Sequence, residues 1–289
     1  MKIKTLNFIL GFFVLLMSTQ NTAVGANWNT EKLKDKDWTH KFELACNSEN
    51  SDIQILEEGK TNFVRFTLKE KAKKTGKCRY DNYLRHSAPF WERAELRIDK
   101  NFNFVINQEY EIEYRVRFVE GFKNDRETIF QIHGGCPNQK KWNQCFVPIM
   151  IKIDAKSDTK SGLYVAYLEE HYRYGHLYAE PWNRSAQSFD PTKHLGEWVT
   201  IKMSFNHKDK TTASFNISLK TKDDEWTAKI EKFSMHPDIK PYVKFGLYRP
   251  AQATLKDLSG QDHTYPNYAQ LLPNVTTIFD VNYIKISKK

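Results

Sequence analysis

Apolar and polar residues alternate along most of this chain. In "YEIEYRVRF" (110–118), Tyr110, Ile112, Tyr114, Val116 and Phe118 take one parity, and charged Glu and Arg take the other. A strand sends successive side chains to opposite faces, so this spacing predicts a strand with one buried and one wet side. "NFVRFTLK", "RAELRI", "IFQIH", "VPIMIKI", "GLYVAYL", "WVTIKMSF", "ASFNISL", "YVKFGLY" and "TIFDVNYIKI" repeat the pattern, and turn-rich stretches such as "HKDKTT" and "TKDDE" separate them. Helical patterning is short and scarce, with "NTEKLKDKDW" near the start the one candidate. Many alternating strands in one chain predict an all-β fold, an antiparallel β-sandwich of the jelly-roll kind. One face of each sheet then fills the core. The other face of a curved sheet makes a concave groove.

Three segments carry an unusual polar side. "RAELR" sets Ala94 and Leu96 against Arg93, Glu95 and Arg97. "FQIH" sets Phe130 and Ile132 against Gln131 and His133. "YVKFGLYR" sets Val243, Phe245 and Leu247 against Tyr242, Lys244, Gly246 and Tyr248. Taken singly, each is an ordinary solvated strand face, since Arg–Glu pairs across strands are common.

The first residues change the expected compartment. Lys2 and Lys4 precede an apolar run, Leu6 to Met17, and "STQNTAVGA" ends in small residues. This is the layout of a secretory signal peptide, 1–26, with cleavage after Ala26. The run is short for a bilayer span. The expected mature chain, 27–289, is secreted or periplasmic. It contains no Pro/Ser/Gly linker and no repeat, and reads as a single domain.

The formal charge is +9, and the leader supplies two Lys and no acid, so the mature chain carries 9 − 2 = +7. Such a surplus favours an anionic partner. No helical basic region, zinc finger or RNA-binding motif is present, so nucleic acid is not the expected partner. A monomer with no membrane association is expected. Four cysteines in an exported chain predict two disulfides, Cys46–Cys78 and Cys136–Cys145, the local pairing among three possible ones. Each would contribute about 3 kcal/mol, and the second would pin the loop after His133. No C-x-x-C pair marks a zinc site.

In order and wording, "RAELR", "QIHG" and "KFGLYR" resemble the signature blocks of jelly-roll polysaccharide lyases. Alginate lyases of this group carry R-x-E-L-R, Q-I-H and Y-F-K-x-G-x-Y. Heparin lyase I and its relatives carry R-x-E-L, Q-x-H-G and K-F-G-x-Y-R, and Arg249 after Tyr248 is similar to the latter. The resemblance covers residues 93–250. The cysteine loop "GGCPNQKKWNQC" and the residues after Tyr248 depart from the alginate-lyase pattern, which leaves the polymer open.

The resemblance implies β-elimination on a uronic-acid polysaccharide, with heparin or heparan sulfate, alginate and glucuronan as candidates. That reaction requires a neutralised uronate carboxylate, a base for the C5 proton and an acid for the departing O4 oxygen. Arg93 and Gln131 would grip the carboxylate. His133 would act as base when neutral. Tyr248 would act as acid, aided by Lys244 or Arg249, and in some family members the tyrosine takes both roles. Arg97, Glu95 and Arg249 are candidate substrate contacts. A second aromatic and basic stretch, "EEHYRYGHLYAEPWNR" (169–184), adds Arg173, Tyr174 and Trp182. No cofactor is required for this chemistry. Some heparin-lyase relatives bind structural calcium, and nothing in the sequence identifies such a site.

Two other readings make different demands. A jelly-roll glycoside hydrolase needs two carboxylates flanking the bond, and the glucanase pattern E-x-D-x-x-E is absent. A non-catalytic lectin would explain the aromatics and charge, but it would not require Gln-x-His beside Lys-x-x-x-Tyr.

Overall fold

A computed structural model of the chain describes Trp38, 40–45, Asn47, 51–69, 91–99, 102–120, Phe122, 127–134, 147–157, 160–168, 182–185, 189–235, 240–250, 254–256, 262–264 and 276–289. Strands dominate these residues. They are β1 Phe42–Leu44, β2 Ser51–Glu58, β3 Thr61–Leu68, β4 Trp91–Ile98, β5 Gln108–Phe118, β6 Thr128–His133, β7 Ile149–Ser157, β8 Lys160–Leu168 and β9 Trp182–Arg184. After a short 3-10 turn, Pro191–His194, come β10 Trp198–His207, β11 Thr212–Lys220, β12 Glu225–Ser234, β13 Tyr242–Pro250, β14 Thr254–Lys256, β15 Asp262–Thr264 and β16 Thr277–Lys288.

Two antiparallel seven-stranded sheets form a sandwich. The first runs β1-β4-β13-β6-β7-β8-β9, and the second runs β12-β11-β10-β5-β16-β3-β2. The alternating segments become strands because each offers one parity of large apolar side chains to the space between the sheets. In β5 the buried parity is Tyr110, Ile112, Tyr114, Val116 and Phe118, as the spacing requires. The turn stretches also fall where expected: "HKDKTT" joins β10 to β11, and "TKDDE" joins β11 to β12. Six described strands were not foreseen, β1, β2, β9, β12, β14 and β15. β1 is three residues long, too short for a period to register. β12 has lysines and glutamates on its wet side, and an extra residue between its Ile230 and Phe233, opposite Ala213 to Phe215 of β11, interrupts the alternation. Apart from Trp38, the expected helix 29–38 lies outside the described residues, as do Cys46, Cys78, Cys136 and Cys145 with their expected disulfides.

Phe245 on β13 sits at the centre of the core. Its ring lies 5.1 Å from Phe42, 5.8 Å from Phe66, 5.8 Å from Tyr114 and 6.1 Å from Trp38, centroid to centroid. Most of these pairs are edge-to-face, the geometry that ring quadrupoles favour. Both sheets therefore bear on one residue of the strand that carries Lys244 and Tyr248. On the outer face of the second sheet, charges are balanced locally. The fully buried carboxylate of Asp280 accepts from Arg65 at 2.8 and 2.9 Å and from Arg117 at 2.8 and 3.0 Å. Arg117 also meets Glu58 at 2.6 Å.

Phe245→Ala should cost about 3–5 kcal/mol of stability, the range for deleting a buried ring. A urea titration checks this: the midpoint should fall while the slope stays constant. A variant as stable as the wild type would show that the core beneath the first sheet is not organised around this ring.

Candidate active site

Residues paired directly across antiparallel strands share a face. Lys244 pairs with Arg97, Gly246 with Glu95, and Tyr248 with Arg93 across β13 and β4. Tyr242 pairs with His133, and Lys244 with Gln131, across β13 and β6. Arg93, Glu95, Arg97, Gln131, His133, Tyr242, Lys244 and Tyr248 thus occupy one face of three adjacent strands, the face turned away from Phe245. The alternation of each strand fixes which face a side chain takes. The strand order β4-β13-β6 brings the three segments together.

The side chains form a connected cluster. Arg93 Nη2 lies 3.3 Å from Tyr248 Oη, and its guanidinium carbon is 4.4 Å from the Tyr248 ring centroid. Arg93 Nη1 is 3.8 Å from Glu95 Oε2. Gln131 Nε2 donates to Glu95 Oε1 at 2.8 Å. Glu95, Gln131, His133 and Lys244 are all buried, which is unusual for a wet sheet face. At the β1 edge, half-exposed Arg97 donates to Glu43 Oε2 at 2.8 Å.

Burial lowers the pKa of His133 well below the ordinary imidazole value, and the charges of Lys244 and Arg93 add to the effect. All three causes disfavour the imidazolium. His133 is therefore neutral at pH 7, the state that can accept a proton. Its ring lies 5.2 Å from that of Tyr242. The Tyr242 phenol is raised above its ordinary value, chiefly by burial; Arg97 opposes the rise and Glu95 adds to it.

Arg249 requires a correction. It was expected to face substrate or to aid Tyr248, but it follows the core parity of β13 and is fully buried. Its Nη1 donates to Thr277 Oγ1 at 2.8 Å and its Nη2 to the Lys69 carbonyl at 2.7 Å, so it ties the first sheet to the second. Thr277 Oγ1 lies 3.2 Å from Glu127 Oε1 within the same buried group. The expectation overlooked that Arg249 shares its parity with Val243, Phe245 and Leu247. Glu95 is also not an open contact, because its carboxylate is only 1% exposed. Arg173 and Tyr174 lie outside the described residues. Trp182 opens β9, paired with Leu168 at the far edge of the sheet.

Three neighbours of the cluster were given no role from the sequence. Tyr242 shared the parity of Lys244 and Tyr248, which was its available signal. Glu43 lies on the short β1, and Asn47 Oδ1 accepts from the Glu95 backbone N–H at 2.8 Å. Neither carries a pattern that sequence could reveal. Among the described residues, no group of three or more His, Cys, Asp or Glu is placed to hold a metal ion.

Comparison with known proteins gives a fold. An endo-β-1,4-glucuronan lyase from the fungus Trichoderma reesei superposes with a TM-score of 0.50 over 87% of this chain and 91% of its own, at 12% identity. The two share one fold. A family 7 alginate lyase solved with substrate gives a TM-score of 0.46 at 12% identity, over 89% of this chain and 95% of its own. An alginate lyase from Pseudomonas aeruginosa gives 0.46 at 14% identity, over 81% and 86%. No family model matches the sequence, and no curated protein matches it significantly.

His133 should titrate below pH 6.5 when followed by NMR. The sign for stability follows from linkage. Below the unfolded value of about 6.5 the unfolded chain binds the extra proton, so stability falls as pH drops from there toward the folded value. His133→Gln should remove that share of the acid slope. A His133 that titrates at or above 6.5 would contradict the burial described.

Proposed function

We propose that this chain is a polysaccharide lyase that cleaves a uronate-containing anionic polysaccharide by β-elimination. One observation carries the reading. A neutral, buried imidazole, three cations, an amide and two phenols share one sheet face, and the Arg93 guanidinium rests against the Tyr248 phenol.

The chemistry assigns a task to each group. The C5 proton of a uronate is weakly acidic, because the adjacent carboxylate resists further negative charge. Arg93, with its planar fork of donors, and the amide N–H of Gln131 neutralise that carboxylate. Lys244 adds positive charge nearby. Neutral His133 removes the C5 proton. The C5–H electron pair forms the C4=C5 double bond, the C4–O4 bond breaks, and Tyr248 gives its phenolic proton to O4. A guanidinium 3.3 Å from the Tyr248 oxygen stabilises the phenolate left behind. The imidazolium then loses its proton, and Tyr248 regains one. Arg97 would contact the polymer at the β1 edge, and Arg173, Tyr174 and Trp182 would meet it elsewhere. No metal is assigned a step.

Register separates the two tyrosines. His133 faces Tyr242, whereas Tyr248 lies six residues further along β13, about 20 Å of strand, opposite Thr128 on β6 and Arg93 on β4. A His133–Tyr248 pair therefore requires both side chains to lean along the strands toward one linkage. Additive losses in His133→Ala and Tyr248→Phe would give both proton transfers to Tyr248. The choice of Tyr248 as acid rests on its contact with Arg93. The substrate class is a polyuronide. Glucuronan heads the screen because one structure of the same fold is a glucuronan lyase, with alginate, heparin and heparan sulfate beside it. Export with cleavage after Ala26, a single domain over 27–289 and a monomeric state belong to the same reading.

Incubation with these polymers should generate ultraviolet absorbance from the unsaturated uronate. A hydrolase or a lectin would generate none. Arg93→Ala should lower kcat/KM by at least ~10²-fold, the scale of one lost charge-stabilising donor. Tyr248→Phe keeps the ring and should lose ~10²–10⁴-fold in rate while still binding polymer. Tyr242→Phe should retain most activity; the opposite pattern would move the acid to Tyr242. The acid limb of kcat/KM should lie below pH 6.5, where His133 becomes protonated.

Export carries its own check. Mass mapping of the secreted protein without reduction should find Cys46–Cys78 and Cys136–Cys145. Four free thiols would remove both bridges and the argument for an oxidising compartment.

A further inference from the structure

We propose that Glu95 is a positioning residue. Its carboxylate crosses over Gly246 to hold Gln131 and Arg93 in the arrangement that meets the uronate carboxylate. The assignment rests on the lyase reading. Glu95 is a carboxylate 1% exposed in the middle of a face built to receive a polyanion. In direct contact with substrate it would repel it. Its oxygens turn instead to the protein, toward Gln131 at 2.8 Å and Arg93 at 3.8 Å.

The reach is the informative part. Glu95 is on β4 and Gln131 is on β6, with β13 between them. Two strand spacings are about 9–10 Å, yet the two side chains meet. The register partner of Glu95 on the intervening strand is Gly246. Its φ is +128°, and a Cβ there would fall 2.3 Å from the Ala94 carbonyl oxygen and 2.9 Å from the Phe66 ring. The backbone admits only glycine at this point. The Phe66 ring belongs to the core, so a Cβ in this conformation would run into the core side. The site face of β13 carries no side chain at Gly246, and the carboxylate can pass over the strand to the amide beyond. The glycine in "KFGLY" thus has a functional reason as well as a steric one.

Glu95 also settles which way the Gln131 amide points. A primary amide can present either its oxygen or its nitrogen to a ligand, and the oxygen would repel a uronate. An ionised carboxylate only accepts hydrogen bonds, so the amide nitrogen must lie on the Glu95 side. One N–H goes to Glu95, and the second is left for the substrate. Arg93 is held between Glu95 on one side and the Tyr248 ring and hydroxyl on the other. The Glu95 backbone is itself fixed, donating to Asn47 Oδ1 and accepting from Ala45 N–H at 3.0 Å.

The test compares Glu95→Ala with Glu95→Gln in the full chain, using polymer turnover and the NMR signal of the Gln131 side-chain amide, assigned by its loss in Gln131→Ala. Glu95→Ala should lower kcat by roughly 10²-fold, the cost of a displacement near 1 Å at the chemistry, with a smaller change in KM. The Gln131 amide protons should move toward solvent-like shifts and exchange faster. Glu95→Gln keeps an acceptor for Gln131 but loses the charge facing Arg93. It should retain the amide signal and lose about tenfold in kcat, on the same scale of partial misplacement. If Glu95→Ala does not fold, the isosteric Glu95→Gln decides. Wild-type kcat in whichever variant folds, or an unchanged amide signal in folded Glu95→Ala, overturns the assignment. Absence of unsaturated product from the wild-type chain on every polymer instead overturns the lyase reading, and with it the uronate role, whatever the amide signal does.

Discussion

Packing around Phe245 is the constraint on which the candidate site depends. The ring is pressed by aromatic side chains from both sheets, so β13 cannot slip by one residue without expelling it to solvent. A one-residue slip would also reverse every side chain on the strand. The parity that buries Phe245 therefore presents Lys244 and Tyr248 outward. The same logic holds on β6, where Phe130 and Ile132 are buried in the core and Gln131 and His133 point the other way. The apolar half of each strand positions the chemical half.

The two sheets treat charge differently. On the second sheet Asp280 closes an ion-pair group with Arg65 and Arg117, and Glu58 completes it. On the first sheet Arg93 and Lys244 surround a neutral imidazole. Burial is the largest influence on His133, and the cations reinforce it. Burial also strengthens every electrostatic interaction made there, because little water is present to screen it. A site of this kind favours a ligand whose negative charge grows during reaction. The buried carboxylate of Glu95 keeps the cations from facing only one another, and the glycine opposite gives it room to do so.

Much of this was legible in the sequence, and the exceptions have physical causes. The long strands β5, β10 and β16 announced themselves because each alternates over many residues. β1 did not, since three residues cannot display a period. Arg249 was misjudged by residue type: a charged side chain next to Tyr248 looked like part of the site, although its parity was that of Phe245. Only the partners of its guanidinium, Thr277 and the Lys69 carbonyl, explain how a charge can be accommodated inside the sandwich. Tyr242 had the right parity, but its neighbour His133 could not be read from the chain.

The sequence by itself determined the all-β architecture, the face on which most of the candidate residues stand, and the chemical types gathered in the three blocks. Those are local properties, set by the two-residue period of a strand. Tertiary structure alone decided that β13 lies between β4 and β6, that Tyr248 meets Arg93 while His133 meets Tyr242, and that Glu95 passes over Gly246 to reach Gln131. The physical reason is that strand order and register are fixed by packing and hydrogen bonding between segments distant in the chain. Alternation within one strand carries no information about which strand will lie beside it.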